Sequence, residues 1–140
     1  MRHGGLDRAA LAEIIFRDPT ARERLNAIVH PHVRRLAAAS EAYAKPGQII
    51  VQVVPLLFET DYDRVCDASI LVVAPDDQRI ARITQRDRLS EEQVRARMAS
   101  QIDPAEARKR ATYVLENGGD FTQLKERTRA VYDALASTAA

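Results

Sequence analysis

The chain has 140 residues, 46% of them hydrophobic, and a formal net charge of +1. That length can enclose one ordinary core without metal or disulfide support, and the near-neutral charge argues against a dedicated nucleic-acid binder. A single cysteine, Cys66, excludes an intrachain disulfide, and no stretch reaches the roughly 18 apolar residues of a membrane span.

The start, Met1 to Arg8, lacks the apolar stretch of a signal peptide, so a reducing cytoplasm is the expected compartment. Leu6, Ala10, Leu11, Ile14 and Ile15 recur at helical spacing and predict a short amphipathic helix over 7–16. Asp18 and Pro19 predict a second start, with Asp18 as cap and Pro19 in the first turn, where its missing N–H costs nothing. Thr20 with Glu23 offers a competing capping box. The stripe of Leu25, Ile28, Val29, Val33 and Leu36 carries this helix towards Tyr43, and Pro31 is expected to bend or split it. Lys45-Pro46-Gly47 ends it. His3, His30 and His32 show no ligand spacing tied to a carboxylate cluster, so no metal site is expected.

Residues 48–58 are rich in Ile and Val with almost no alternation, the pattern of a strand buried on both faces of a parallel sheet. A second such run covers 68–74. Cys66, just before it, reads as packing. A charged helix follows over 76–87, and Ser90 with Gln93 makes a capping box for a helix reaching about Gln101. Asp103-Pro104-Ala105-Glu106 is a further start signal. Tyr113-Val114-Leu115 predicts a third strand, closed by Asn117-Gly118-Gly119, and Asp120 with Gln123 starts the last helix. Alternating strands and helices predict an α/β layer on a parallel sheet, and three strands make a thin one.

Ligands collect at the polar ends of buried parallel strands. Arginine outnumbers lysine 18 to 3, and 79–110 carries nine basic residues against five acidic. Arg79, Arg82 and Arg86 share one helical face, and Gln93, Arg97 and Gln101 share a face of the next helix. Two guanidinium rows on consecutive helices fit an anion clamp, and they equally fit a solvated charged surface. The five glycines, Gly4, Gly5, Gly47, Gly118 and Gly119, cannot be fitted to the phosphate-binding pattern GxxxxGK[ST] anywhere.

In register, Leu6-Asp7-Arg8 with Leu11, Ala12, Ile15 and Phe16, then Leu25-Asn26, Ile28, His30-Pro31 and Val33, then Val54-Pro55-Leu56-Leu57-Phe58-Glu59, then Gln85-Arg86-Asp87 with Arg97 and Gln101, and finally Tyr113 to Gly118 resemble the dephospho-coenzyme A kinases. The resemblance implies a P-loop kinase fold, here one partial domain over 1–140. Within it, 5–45 would be a helical coenzyme A-binding region, 48–75 core strands, 76–112 a two-helix lid, and 113–140 the last core strand and C-terminal helix.

It also implies ATP-dependent phosphorylation of the ribose 3′-hydroxyl of dephospho-coenzyme A. ATP with magnesium would be a substrate complex and no cofactor would be tightly held. His30, Pro31, Pro55, Leu56 and Leu57 would form the acceptor pocket. Arg86, with Arg82 as second choice, would reach the phosphates, and Asn117 and Gly118 would lie near the adenine. The family's glycine-rich loop, its phosphate lysine and an acidic residue near the acceptor hydroxyl would precede Met1. Thr112 and Val53 stand where family members often carry Asp, and the basic residue near Ala107 to Arg110 is displaced by about one position, so none of these receives a role. On these grounds the chain alone is expected to be inactive, with apolar strand edges open to self-association. Two other readings stay open: a non-catalytic remnant that binds a coenzyme A-like ligand or a partner, and a piece of another P-loop nucleoside or nucleotide kinase. Membrane and nucleic acid are not expected partners.

Overall fold

The computed structural model describes residues 5–138, so the readings of Met1 to Gly4, His3 included, lie outside the described residues. The chain divides into two compact units, Met1–Gln52 and Val53–Ala140.

In the first unit, helix α1 (Arg8–Arg17) packs against helix α2 (Pro19–Glu41). The Asp7 carboxylate caps α1 by accepting from the Ala10 N–H at 3.0 Å. Asp18 caps α2, accepting from Thr20 and Ala21 at 2.8 and 3.1 Å with Pro19 in the first turn. The Asp18 start therefore prevails over the Thr20–Glu23 box. The expectation of a split at Pro31 is corrected, because α2 runs through it as one helix. Pro31 removes a single intrahelical donor, the one that would serve the Ala27 carbonyl, and the turns on either side carry the helix across. No described residue of α2 is buried, and Leu36 in its apolar stripe is 70% exposed. Beyond α2, Lys45 to Gln48 close a turn in which the Gln48 N–H reaches the Lys45 carbonyl at 3.0 Å. Gly47 has φ of 76° there, a left-handed position that glycine adopts freely.

The second unit contains a turn over 55–61, a short 3₁₀ helix (Tyr62–Val65), strand β1 (Ile70–Val73), helices α3 (Asp76–Asp87), α4 (Glu91–Ala99) and α5 (Pro104–Arg110), strand β2 (Tyr113–Glu116) and helix α6 (Phe121–Thr138). The helix starts follow local capping chemistry. Ser90 and Gln93 exchange side-chain and backbone hydrogen bonds at α4, Asp103 accepts from Ala105 and Glu106 at α5, and Asp120 accepts from Gln123 at α6.

β1 and β2 pair in parallel, Ile70 opposite Tyr113 through Val73 opposite Glu116. The ladder is lengthened at both ends, by Tyr113 N–H to the Ser69 carbonyl at 2.9 Å and by Asn117 N–H to the Val73 carbonyl at 2.6 Å. At its start the hydroxyls of Ser69 and Thr112 each accept the other residue's backbone N–H, both at 3.1 Å. Ser69 is buried, so this exchange satisfies polar groups that water does not reach.

The parallel α/β character holds, but the sheet has two strands among the described residues rather than the three expected. Residues 48–54 form no ladder and 55–60 curl into a turn. An unbroken apolar run specifies burial, not pairing, and this run meets no strand within the described chain. Val53 is 92% exposed as a result.

The most buried apolar side chains are Phe58, Ile80 of α3, Val94 of α4 and Ala107 of α5. The tightest packing is thus at the helices between the strands, where α3 and α4 pack together, while α6 covers β2. Val94 has no solvent exposure. Val94→Ala should lower the unfolding free energy by about 2 kcal/mol, read as a lower urea midpoint at unchanged m. A midpoint equal to the wild type's would show that Val94 is not a core anchor.

Candidate functional site

Both parallel strands end on the same side, and the residues that follow them meet there. β1 leads through Pro75 into α3, and β2 leads into Asn117 and Gly118. From α3, Gln78 Nε2 donates to the Gly118 carbonyl at 3.1 Å and Arg82 Nη1 donates to the Asn117 carbonyl at 3.1 Å. Arg82 Nη2 also donates to Gln78 Oε1 at 3.0 Å, which closes the set. Only glycine fits at 118, since a Cβ would stand 2.8 Å from Pro75 Cδ. The Glu116 carbonyl accepts from Arg127 Nη1 at 2.8 Å, and its carboxylate pairs with Arg108 at 2.9 Å.

One turn further along α3 lies Arg86. Its Nε and Nη2 donate to the two oxygens of Asp87 at 2.7 and 3.1 Å. From α4, Arg97 Nη1 stands 3.8 Å from the same carboxylate. Two guanidinium groups on consecutive helices therefore converge on one anionic group, the arrangement expected of a clamp. The Arg86 hydrogen bond holds the Asp87 carboxyl below the usual aspartate range, with lesser help from the charges of Arg86 and Arg97. Arg86 is raised in turn by the same hydrogen bond and by the charge of Asp87. Arg79, the third member of the expected row, is held apart by Asp76 and by Gln101 Oε1, at 3.2 and 3.0 Å.

The turn over 55–61 displays Pro55 and Leu56 on the surface, half-buries Leu57 and buries Phe58. The Leu56 carbonyl accepts from both the Thr60 N–H and hydroxyl, and Glu59 accepts the Ile102 N–H at 3.1 Å. Cys66 is half-buried, with its thiol donating to the Tyr62 carbonyl. Among the described residues no group of three or more His, Cys, Asp or Glu is arranged to hold a metal.

Of the residues singled out from sequence, Arg82, Asn117 and Gly118 come together, and Arg86 pairs with Asp87. Pro55, Leu56 and Leu57 share the turn of the second unit, whereas His30 and Pro31 lie within α2 of the first. Sequence reasoning missed Arg110. It donates to both oxygens of Asp63, to Asp61 and to the Phe58 carbonyl. Its partners lie 47 to 52 residues away, so no local spacing could have signalled it.

The sequence profile of the dephospho-CoA kinases matches residues 1–123. Curated dephospho-CoA kinases are similar at 38% identity over 133 residues in Leptospira interrogans, 40% over 136 in Thermus thermophilus and 44% over 132 in Salinibacter ruber. These alignments take in 93 to 97% of this chain and 64 to 66% of the relatives' length, so the chain spans just under two thirds of the proteins it matches. The crystal structure of TT1252 from Thermus thermophilus is similar with a TM-score of 0.82 at 40% identity, over 95% of this chain and 69% of that one. The dephospho-CoA kinase from Campylobacter jejuni matches with a TM-score of 0.67 at 27% identity, over the whole chain and 70% of the other. With a family match over residues 1–123 and relatives at 38 to 44% identity over nearly all of its length, this chain belongs to the dephospho-CoA kinase family.

Proposed function

We propose that the chain takes part in transferring the γ-phosphoryl group of ATP to the ribose 3′-hydroxyl of dephospho-coenzyme A, the step that completes coenzyme A, and that these 140 residues alone, which hold no GxxxxGK[ST] loop, do not turn over. The P–O bond between the γ-phosphorus and the β-bridging oxygen breaks, the 3′-oxygen bonds to phosphorus, and the hydroxyl proton is released. The observation that carries this reading is the convergence of Arg86 and Arg97 on the Asp87 carboxylate. A transferring phosphoryl group needs positive charge on its equatorial oxygens, and guanidinium forks on two helices supply it without covalent chemistry. The α3–α4 pair is the lid in this reading. Its closure keeps water away from the phosphoryl group.

Arg86 is the main phosphate contact and Arg82 the second, while Asn117 and Gly118 line the adenine end. Pro55, Leu56 and Leu57 of the second unit bind the acceptor in this reading, while His30 and Pro31 are assigned to acceptor binding by the family resemblance alone. Magnesium arrives with the nucleotide, bound mainly by phosphate oxygens and water as that ion prefers. No described helix is long and apolar enough to cross a membrane. The exposed apolar side chains of Val51 and Val53 support self-association through this segment.

Incubating the full-length protein with magnesium-ATP and dephospho-coenzyme A, and following coenzyme A by chromatography, tests the reading. Arg86→Ala should lower kcat by about 100-fold or more. Coenzyme A production that is unaffected by Arg86→Ala would remove the lid from the mechanism. Binding of dephospho-coenzyme A without transfer would favour a remnant, and a preference for nucleosides would favour another P-loop kinase.

The Arg86–Asp87 pair has its own signature in pH. Because the folded-state pKa of Asp87 is depressed, the pair's contribution is present above the ordinary aspartate range and fades as pH falls through the depressed value. Carbon-detected NMR titration should place the Asp87 midpoint below that of an ordinary aspartate, and Arg86→Gln should move it up. Arg97→Gln should move it less. Equal shifts in the two variants would contradict Arg86 as the dominant partner.

A further inference from the structure

The turn over 55–61 contains little that would hold it in one shape. Pro55 is exposed, Leu56 is 47% exposed, and Phe58 alone among 55–61 is buried. Its internal hydrogen bonds, from Thr60 to Leu56, Asp61 to Phe58 and Tyr62 to Leu57, curl the backbone but do not attach it to the rest of the unit. Attachment comes from the buried Phe58 side chain and, among the polar contacts of the described residues, from two outside groups. One is Glu59 on the Ile102 N–H, and the other is Arg110, the last residue of α5.

Arg110 uses all three of its guanidinium nitrogens on this one segment. Nε and Nη2 make a bidentate pair with Asp63, Nη2 also reaches Asp61 at 2.9 Å, and Nη1 donates to the Phe58 carbonyl at 2.9 Å. The guanidinium carbon lies 5.4 Å from the centre of the Phe58 ring. The group is sheltered, with 23% of the Arg110 side chain and 10% of the Asp63 side chain exposed. The Asp63 hydrogen bond is the largest of the contacts that raise the Arg110 pKa. Asp61 sits at φ of 53°, a left-handed conformation that a non-glycine residue adopts only where its surroundings fix it.

We infer that Arg110 is a positioning residue for the acceptor-binding turn, acting through Asp61, Asp63 and the Phe58 carbonyl without touching substrate. The inference rests on the kinase reading for what the turn binds. It follows from fork geometry: the guanidinium makes four hydrogen bonds to three residues at once, one more than the three donors of an ammonium could supply. A lysine at 110 would keep the charge and lose most of these bonds. The consequence falls on Pro55, Leu56 and Leu57, one to three residues before Phe58, and therefore on the acceptor rather than the nucleotide.

The test uses the full-length protein, with Arg110→Lys and Asp61→Asn compared with the wild type. Arg110→Lys should raise KM for dephospho-coenzyme A by about tenfold, with KM for ATP within about twofold of the wild type. Asp61→Asn weakens the contact with the sheltered Arg110 and the exposed one with Arg64, and asparagine accepts the left-handed backbone, so a rise of about threefold is expected and the fold is preserved. Amide exchange should quicken at 58–62 in both variants and stay unchanged in α3. Both KM values moving together, or neither moving, would overturn the inference, and if Arg110→Lys does not fold then Asp61→Asn decides. If the wild type makes no coenzyme A, the kinase reading fails separately. Unchanged exchange at 58–62 would then overturn the positioning role, and faster exchange confined to that segment would uphold it.

Discussion

The parallel pairing of Ile70–Val73 with Tyr113–Glu116 is the constraint on which the rest of the second unit depends. Parallel strands cannot be joined by a tight turn, so the chain must leave one strand and return to the same end of the next. Here the return path is α3, α4 and α5, and it carries the whole basic segment from Arg79 to Arg110. Both ends of this excursion are pinned. Ser69 and Thr112 exchange hydrogen bonds where the strands begin, and the Asn117 N–H meets the Val73 carbonyl where they end. Between these pinned ends the helices bury Ile80, Val94 and Ala107 on one side and leave charged faces on the other.

Arginines in this segment serve two physical roles that composition does not distinguish. Arg86 and Asp87 form an exposed pair, which water and salt weaken, so a competing anion can take the guanidinium with little loss. Arg110 and Asp63 are sheltered, and removing either would leave a poorly hydrated charge without its partner. The first kind of pair can be exchanged for a ligand, and the second holds a turn in place. Burial and the number of partners separate them, not residue type.

Features governed by neighbours a few residues apart were legible in the sequence. Asp18, Ser90, Asp103 and Asp120 each cap the helix they were expected to start, because a cap needs only a carboxylate or hydroxyl and the next two or three N–H groups. The strand expected over 48–58 was not legible in the same way. Its apolar pattern was real, but a ladder depends on a partner that no local pattern encodes. Of the two outcomes expected at Pro31, a bend or a split, the split did not occur, since the loss of one hydrogen bond is outweighed by the rest of a 23-residue helix. In the site, strand-end logic pointed to the residues after β1 and β2, but not to the hydrogen bonds that Gln78 and Arg82 make with the turn at Asn117 and Gly118. Arg110 was not legible, because its partners lie far away in sequence and its own surroundings, Arg108-Lys109-Arg110, look like any solvated basic run.

Gly118 acts as a spacer gauge between two elements that are far apart in sequence. Because any side chain there would strike Pro75, the residue that opens α3, a substitution could be relieved only by moving the start of that helix. Gln78 and Arg82 hang from the same helix and hold the carbonyls on either side of the gauge. A single methyl group at 118 would therefore press on the residue from which the charged helix departs, so a position that carries no charge sets how closely that helix and the strand-end turn approach.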